Sequence, residues 1–229
     1  MSDNSGQATG EPTSLFWYAL PRGYMQMDIN PELAQIDSMV EQVLSLPDDV
    51  RGRAEQVAQF YAGFLTLLNS QQVQGCAIGL HPRDGDASFS VLTVSTVPTA
   101  GIDPKLVLAS MARTAPERPD EDIRPLDFPC GTGFLTEAMR RTTAPGRPPE
   151  GSEDPLEGTV WQGTVAMTGT GTPDIIMMQL VTAAVDLADD YRNVLLGAAS
   201  TLTFTDPTLA ESGALEKGSL DEASKSPFG

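Results

Sequence analysis

Cysteine and histidine are nearly missing from this chain. Of 229 residues two are cysteine, Cys76 and Cys130, and one is histidine, His81. No CxxC pair exists, and one histidine with two separated cysteines excludes a convincing zinc or other transition-metal centre. Lysine is scarce as well, and the 14 basic side chains face 31 acidic ones, a formal net charge of −17. A surface of that sign repels phosphate backbones and anionic lipids, which argues against nucleic-acid and membrane-surface binding. The densest basic cluster, Arg140, Arg141 and Arg147, is too small to reverse this. No uninterrupted apolar run approaches the roughly 20 residues that span a bilayer. The opening "MSDNSGQATGEPTS" has neither a basic nor an apolar segment of a secretory signal, so the expected location is cytoplasmic. Also lacking are the phosphate-cradling GxxxxGK[ST], a strand-to-helix GxGxxG, and the GxSxG nucleophile turn. Gly169, Thr170, Gly171 and Thr172 form a glycine-threonine run, but it falls in a hairpin loop rather than before a helix. Asp84 and Asp86 read as turn residues, and Asp189 and Asp190 as a complement to a helix N-terminus. No acidic run has the spacing of a calcium loop. No cofactor and no metal are expected.

What is present is a chain long enough for one sizeable domain, with 40% apolar residues. Residues 1–13 and 207–229 are polar, and disordered tails are expected there, flanking a single domain over 14–206. "SLFWYALP" predicts a strand, which could pair as a hairpin with the alternating "YMQMDI". Asn30 and Pro31 predict a helix start. Apolar residues at helical spacing then predict two helices, or one broken at Pro47, over residues 31–70. "VQGCAIGLHPRDGDASFSVLTVSTVP" predicts a hairpin around Asp-Gly. "DPKLVLASMARTA" predicts a short helix capped by Asp103. A bend at "PCGTG" leads into a strand from Gly133 onward, and residues 143–158 form a Pro/Gly-rich loop. "TVWQGTVAMTG" predicts a strand with Trp161, Val165 and Met167 on one face. "IIMMQLVTAAV", apolar almost throughout, predicts a central strand covered on both faces. A last helix follows Asp186, with Leu187, Tyr191, Val194, Leu195, Ala198 and Leu202 as its stripe. Hairpins separated by helices imply an α+β fold, a central antiparallel sheet flanked by helices, rather than a parallel doubly wound sheet.

The most enzyme-like stretch is "LDFPCGTGFLTEAMRR". Its Cys130-Gly-Thr-Gly133 segment resembles the second catalytic segment of the diaminopimelate epimerase family, in which two cysteines face each other as acid and base. That resemblance implies an enzyme using Cys130. It stops at four residues: "RPLDFP" replaces the family's acidic, glycine-rich approach. "VQGCAIGL", around Cys76, lacks the family's Asn-Gly turn. A structural turn is the competing reading. His81, at a strand end, reads as solvent-facing.

A second resemblance spans roughly residues 15–205. "ALPRGYMQMDINPE", "GCAIGLHPRDGDASFSVLTVS", "LDFPCGTGFLTEAMRR" and "DIIMMQLVTAAVDLADDYRNVLLGAASTLTF" are similar, in this order, to segments of actinobacterial proteins with a Mog1/PsbP-like (LpqN-like) fold, an αβα sandwich. In these relatives a small turn residue stands where Cys130 does. The resemblance implies a non-enzymatic binding or accessory protein, in a type VII secretion setting, with a protein partner. The alternatives are the Cys130 enzyme and a structural subunit of a homo-oligomer, such as a homodimer. Phe16, Trp17, Tyr18, Met25 and Met27 supply rings and thioethers on both faces of their strands. The expected docking surface is there, unless the chain's own loops cover it.

Overall fold

A computed structural model describes residues 16–83, 86–114, 122–143, 157–170 and 172–206. The expected tails, the Asp84-Gly85 turn, Arg147 and most of the 143–158 loop lie outside these residues. Among the described residues the elements run β1 (Tyr24–Met27), α1 (Leu33–Leu44), α2 (Asp48–Ser70), β2 (Val73–Arg83), β3 (Asp86–Pro98) and α3 (Pro104–Thr114). They continue with β4 (Asp122–Phe128), β5 (Gly131–Thr143), β6 (Glu157–Gly169), β7 (Asp174–Thr182), a single 3-10 turn (Val185–Leu187) and α4 (Ala188–Ser200). The strands form one seven-stranded sheet in the order β1-β2-β3-β7-β6-β5-β4, with every pairing antiparallel. The fold class is α+β.

β7 is the central strand because its sequence is apolar on both phases. Ile176, Met178 and Leu180 are fully buried on the first face, beneath Tyr191, Leu195, Ala198 and Ala199 of α4. Trp161, Val165 and Met167 of β6, Leu92 and Val94 of β3, Ala77 of β2 and Leu135 of β5 join this cluster. Burying one such side chain stabilises by roughly 1.5–3 kcal/mol, so the first face holds most of the fold together. On the second face Leu108 of α3 packs on Phe134, Ala166 and Ile175, and Leu68 of α2 packs on Ile29 and Cys76.

Four expectations are corrected by this arrangement. "SLFWYALP" forms no hairpin with β1. Trp17 instead exchanges two backbone hydrogen bonds of 2.9 Å with Thr203, and Phe16, Tyr18 and Leu20 pack on the first-face core. Filling that gap beside the end of α4 outweighs strand pairing, and β1 pairs with β2. The first helix is not capped by Asn30, whose N–H donates to Asp28 Oδ1 at 3.0 Å in a local turn. The helix begins after Glu32, and Gln35 Oε1 accepts from the Glu32 N–H at 3.0 Å. The bend at "PCGTG" is present as the turn at Pro129 and Cys130, but the stretch before it is a whole strand, β4, whose Pro125 is tolerated because β4 is a sheet edge. Among the described side chains of the helices over 31–70, α1 buries none, and α2 packs on the sheet through Phe64 and Leu68.

Candidate functional site

Cys130 lies in the two-residue turn between β4 and β5. Strand β6 runs so close there that a Cβ on Gly131 would stand 2.0 Å from the Thr168 carbonyl oxygen. One on Gly169 would stand 2.0 Å from the Cys130 carbonyl oxygen. Backbone contact therefore accounts for the glycines around Cys130. The half-buried thiol points to Met167, Sγ to Sδ 3.8 Å, and burial raises its pKa, with a backbone hydrogen bond acting the other way. Cys76 sits in β2 among Ile29 and Leu68. Four strand spacings, roughly 19 Å, separate it from β5, so the structure does not bring the two cysteines together. Among the described residues no group of three His, Cys, Asp or Glu could hold a metal ion, and no helix is long and apolar enough to cross a membrane.

Burial pushes the Cys76 thiol from 9.0 to about 11. Burial also pushes the Tyr24 phenol to about 12, partly offset by a Ser90 hydrogen bond and reinforced by nearby Tyr191. Both groups are neutral when protonated, so the native state keeps protons that the unfolded chain has already lost. Their contribution to stability is whole below about pH 9 and is lost as pH rises toward 11 and then 12. Urea titrations at pH 8, 10 and 11 should show a falling midpoint, and Cys76→Ala should flatten the fall between pH 9 and 11. A midpoint independent of pH over that range would contradict the burial of both groups.

His81 is not solvent-facing. It is half-buried on the first face, its ring 5.5 Å from those of Tyr24 and Tyr191, edge-on to both. The strand register sets Ser88 directly opposite His81 and Tyr24 opposite Gly79. Gly79 is required there, since a Cβ would stand 2.6 Å from the Tyr24 ring. Ser88 shares a hydrogen bond of 2.7 Å with the Tyr191 hydroxyl, and Ser90 one of 2.5 Å with the Tyr24 hydroxyl. His81 Nε2 is buried and has no hydrogen-bond partner among the described residues. A cavity of about 390 Å³ opens beside this cluster. Tyr24, Ser88 and Ser90 were not singled out from sequence, and Tyr191 only as part of the apolar stripe of α4. The signal available was "SFS", two hydroxyls on one phase of an otherwise apolar strand.

The second face carries the other notable feature. Met25, Ile78, Val91 and Val181 form one row of direct cross-strand neighbours over β1, β2, β3 and β7, and Leu80 faces Phe89 in the next row. Met25 is 66% exposed, Phe89 62% and Leu80 44%, while Ile78, Val91 and Val181 are half-buried. Of the expected docking residues, Met25 is on this surface and exposed. Trp17 and Tyr18 are half-buried, with the Tyr18 hydroxyl against Gly75 on the first face. Met27 is half-buried against the α2 cluster. Leu80 and Phe89, missed from sequence, are the exposed centre. Arg140 is half-buried and Arg141 exposed on β5, and Asp189 and Asp190 fall in the first turn of α4 as expected.

No family model matches the chain, and no curated protein does. Among solved structures, one described as LpqN involved in cell envelope biogenesis of Mycobacterium tuberculosis is similar at 14% identity, covering 85% of this chain and 86% of that one with a TM-score of 0.39. This is a distant likeness of fold.

Proposed function

We propose that this chain is a non-enzymatic binding or accessory protein that docks a protein partner on the second face of its sheet. The carrying observation is the double row Met25–Ile78–Val91–Val181 and Leu80–Phe89, apolar, with Met25, Leu80 and Phe89 exposed among the described residues where the opposite face is covered by α4. Contiguous exposed apolar surface on a sheet is costly to leave in water and marks contact sites. The occupant is a different protein, with an apolar patch and a neutral or basic rim. A second copy would bring a further −17 of charge against the first, and like-charged partners repel over a Debye length of about 8–10 Å.

Phe89→Asp removes the centre of this surface without touching the core. Affinity capture from cells of the source organism, with wild type and Phe89→Asp at matched melting temperature, is the test. One protein should be retained by wild type and lost from the variant, and light scattering should show a monomer for both. A dimer that dissociates on Phe89→Asp would make a second copy the occupant. Retention of the same proteins by both chains would overturn the docking face itself.

A further inference from the structure

We infer that α1 is one wall of an unfinished helical bundle, and that it takes up an amphipathic helix of a partner protein with lysine or arginine along one flank. The surface is not the sheet face of Met25, Leu80 and Phe89, and the inference does not rest on that face. At about 100° per residue the apolar side chains of α1 fall in one sector of roughly 140°. Met39, Val43 and Ile36 fill one half of it. They are half-buried and mark the side turned to α2, against which α1 packs. Val40, Leu33 and Leu44 fill the other half and are 47%, 79% and 59% exposed. Leu33, Ile36, Val40 and Val43 follow the a-d-a-d spacing of a heptad seam, with Leu44 beside it. A sector this wide serves a neighbour on each half, and α2 is on one.

The shape of the occupant follows from the seam. Its repeat of 3.5 residues is met by another helix, and Leu33 to Leu44 spans about 16 Å, so some three turns of the partner engage. The energetic reason is that α1 has 12 residues and buries none of them. A helix of that length is marginal in water unless an apolar face is packed. Charge then decides which helix. Asp37 and Glu41, one turn apart, border the open half on the side away from α2, and α1 carries no basic residue. Flanking charges of this kind set partner choice between helices, so the complement carries cations there. A second copy would bring the same carboxylates and a further −17 of charge, and an anionic lipid surface would meet the same repulsion.

The intact protein is titrated with synthetic peptides of about three heptads. One has leucine at a and d with lysine at e and g, one has glutamate in place of lysine, and one scrambles the lysine peptide. Saturable binding of the lysine peptide is expected, with slowed deuterium exchange over α1, and neither effect from the other two. Val40→Gln combined with Leu44→Gln, at exposed sites where glutamine suits a helix, should weaken binding at least tenfold at an unchanged melting temperature. Glu41→Gln should weaken it a few-fold. Equal binding of the scrambled peptide would reduce the interaction to net charge, and equal binding of the glutamate peptide would remove the basic flank; either result overturns the inference. So would slowed exchange confined to β1, β2 and β3, or exchange over α1 already as slow as over α4 without peptide, which would mean that the chain covers this face itself. Self-association lost in the double variant would make a second copy the occupant, and co-sedimentation with phosphatidylcholine–phosphatidylglycerol vesicles lost in the same variant would make it a lipid surface; both would overturn the assignment to a partner helix.

Discussion

Glu137→Ala should destabilise the protein by about 3 kcal/mol. Glu137 of β5 is 8% exposed, and three donors converge on its carboxylate. Arg192 Nε of α4 donates to one oxygen at 2.6 Å, Arg124 Nη2 of β4 to the other at 2.5 Å, and Trp161 Nε1 of β6 at 3.2 Å. One side chain thus ties an edge strand, an inner strand and the covering helix together. Removing it leaves the indole N–H without its acceptor and strips the largely covered Arg192 guanidinium of one of its two carboxylates, Asp189 remaining, and breaking a buried charge network from one side costs more than the pair contributed. The lower end of the usual 3–5 kcal/mol applies because Arg124 is 46% exposed and water can solvate it. At this size the melting temperature should fall by roughly 6–12 °C. Glu137→Gln keeps the shape and one acceptor and should cost less, and Arg124→Met, at the wet end of the network, should cost within about 1 kcal/mol. A loss from Glu137→Ala with none from Glu137→Gln would show that Glu137 is merely packed.

Gly169→Ala should cost about 3 kcal/mol or more, because the added methyl would lie 2.0 Å from the carbonyl oxygen of Cys130. Relief requires moving backbone, since the nearest atom is the Cys130 carbonyl oxygen, and the Phe204 ring also stands at 2.8 Å. Gly131, its direct cross-strand partner, is under the same constraint from Thr168. Cys130→Ala should be mild, on the order of 1 kcal/mol, because it removes a half-buried sulfur and its contact with Met167. The contrast, read by urea denaturation of the two variants, tests whether the "CGTG" stretch is built around its glycines. A mild Gly169→Ala together with a severe Cys130→Ala would reverse that conclusion.

Much of the fold was legible because local and global signals agreed. The Asp-Gly turn between two apolar runs gave the β2–β3 hairpin, the two-phase apolarity of "IIMMQLVTAAV" gave the central strand, and the Tyr191–Leu195–Ala198 stripe gave α4. β4 was hidden because edge strands tolerate Pro125 and charge. The strand expected at Trp17 failed because its rings fill space beside a helix end fixed 186 positions further on, at Thr203 — a contact that no local pattern encodes. The candidate sites were less legible for the same reason. Ser88 and Tyr191 meet across 103 positions, and their meeting follows from the hairpin register and the seating of α4 together. The open face depended on what covers it. Helical spacing over residues 31–70 gave the helices but not where they sit: α1 buries no residue, and Leu80 and Phe89 are exposed.

Photo-crosslinking from position 89 tests the docking face most directly. A benzophenone-bearing phenylalanine analogue replaces Phe89, and a control places it at Asn193, exposed on α4 over the opposite face. Irradiation in cells of the source organism should give a covalent adduct with one other protein from position 89 and none from position 193. No adduct from position 89, or adducts only within the chain's own mass or its double, would contradict a heterologous partner on this face.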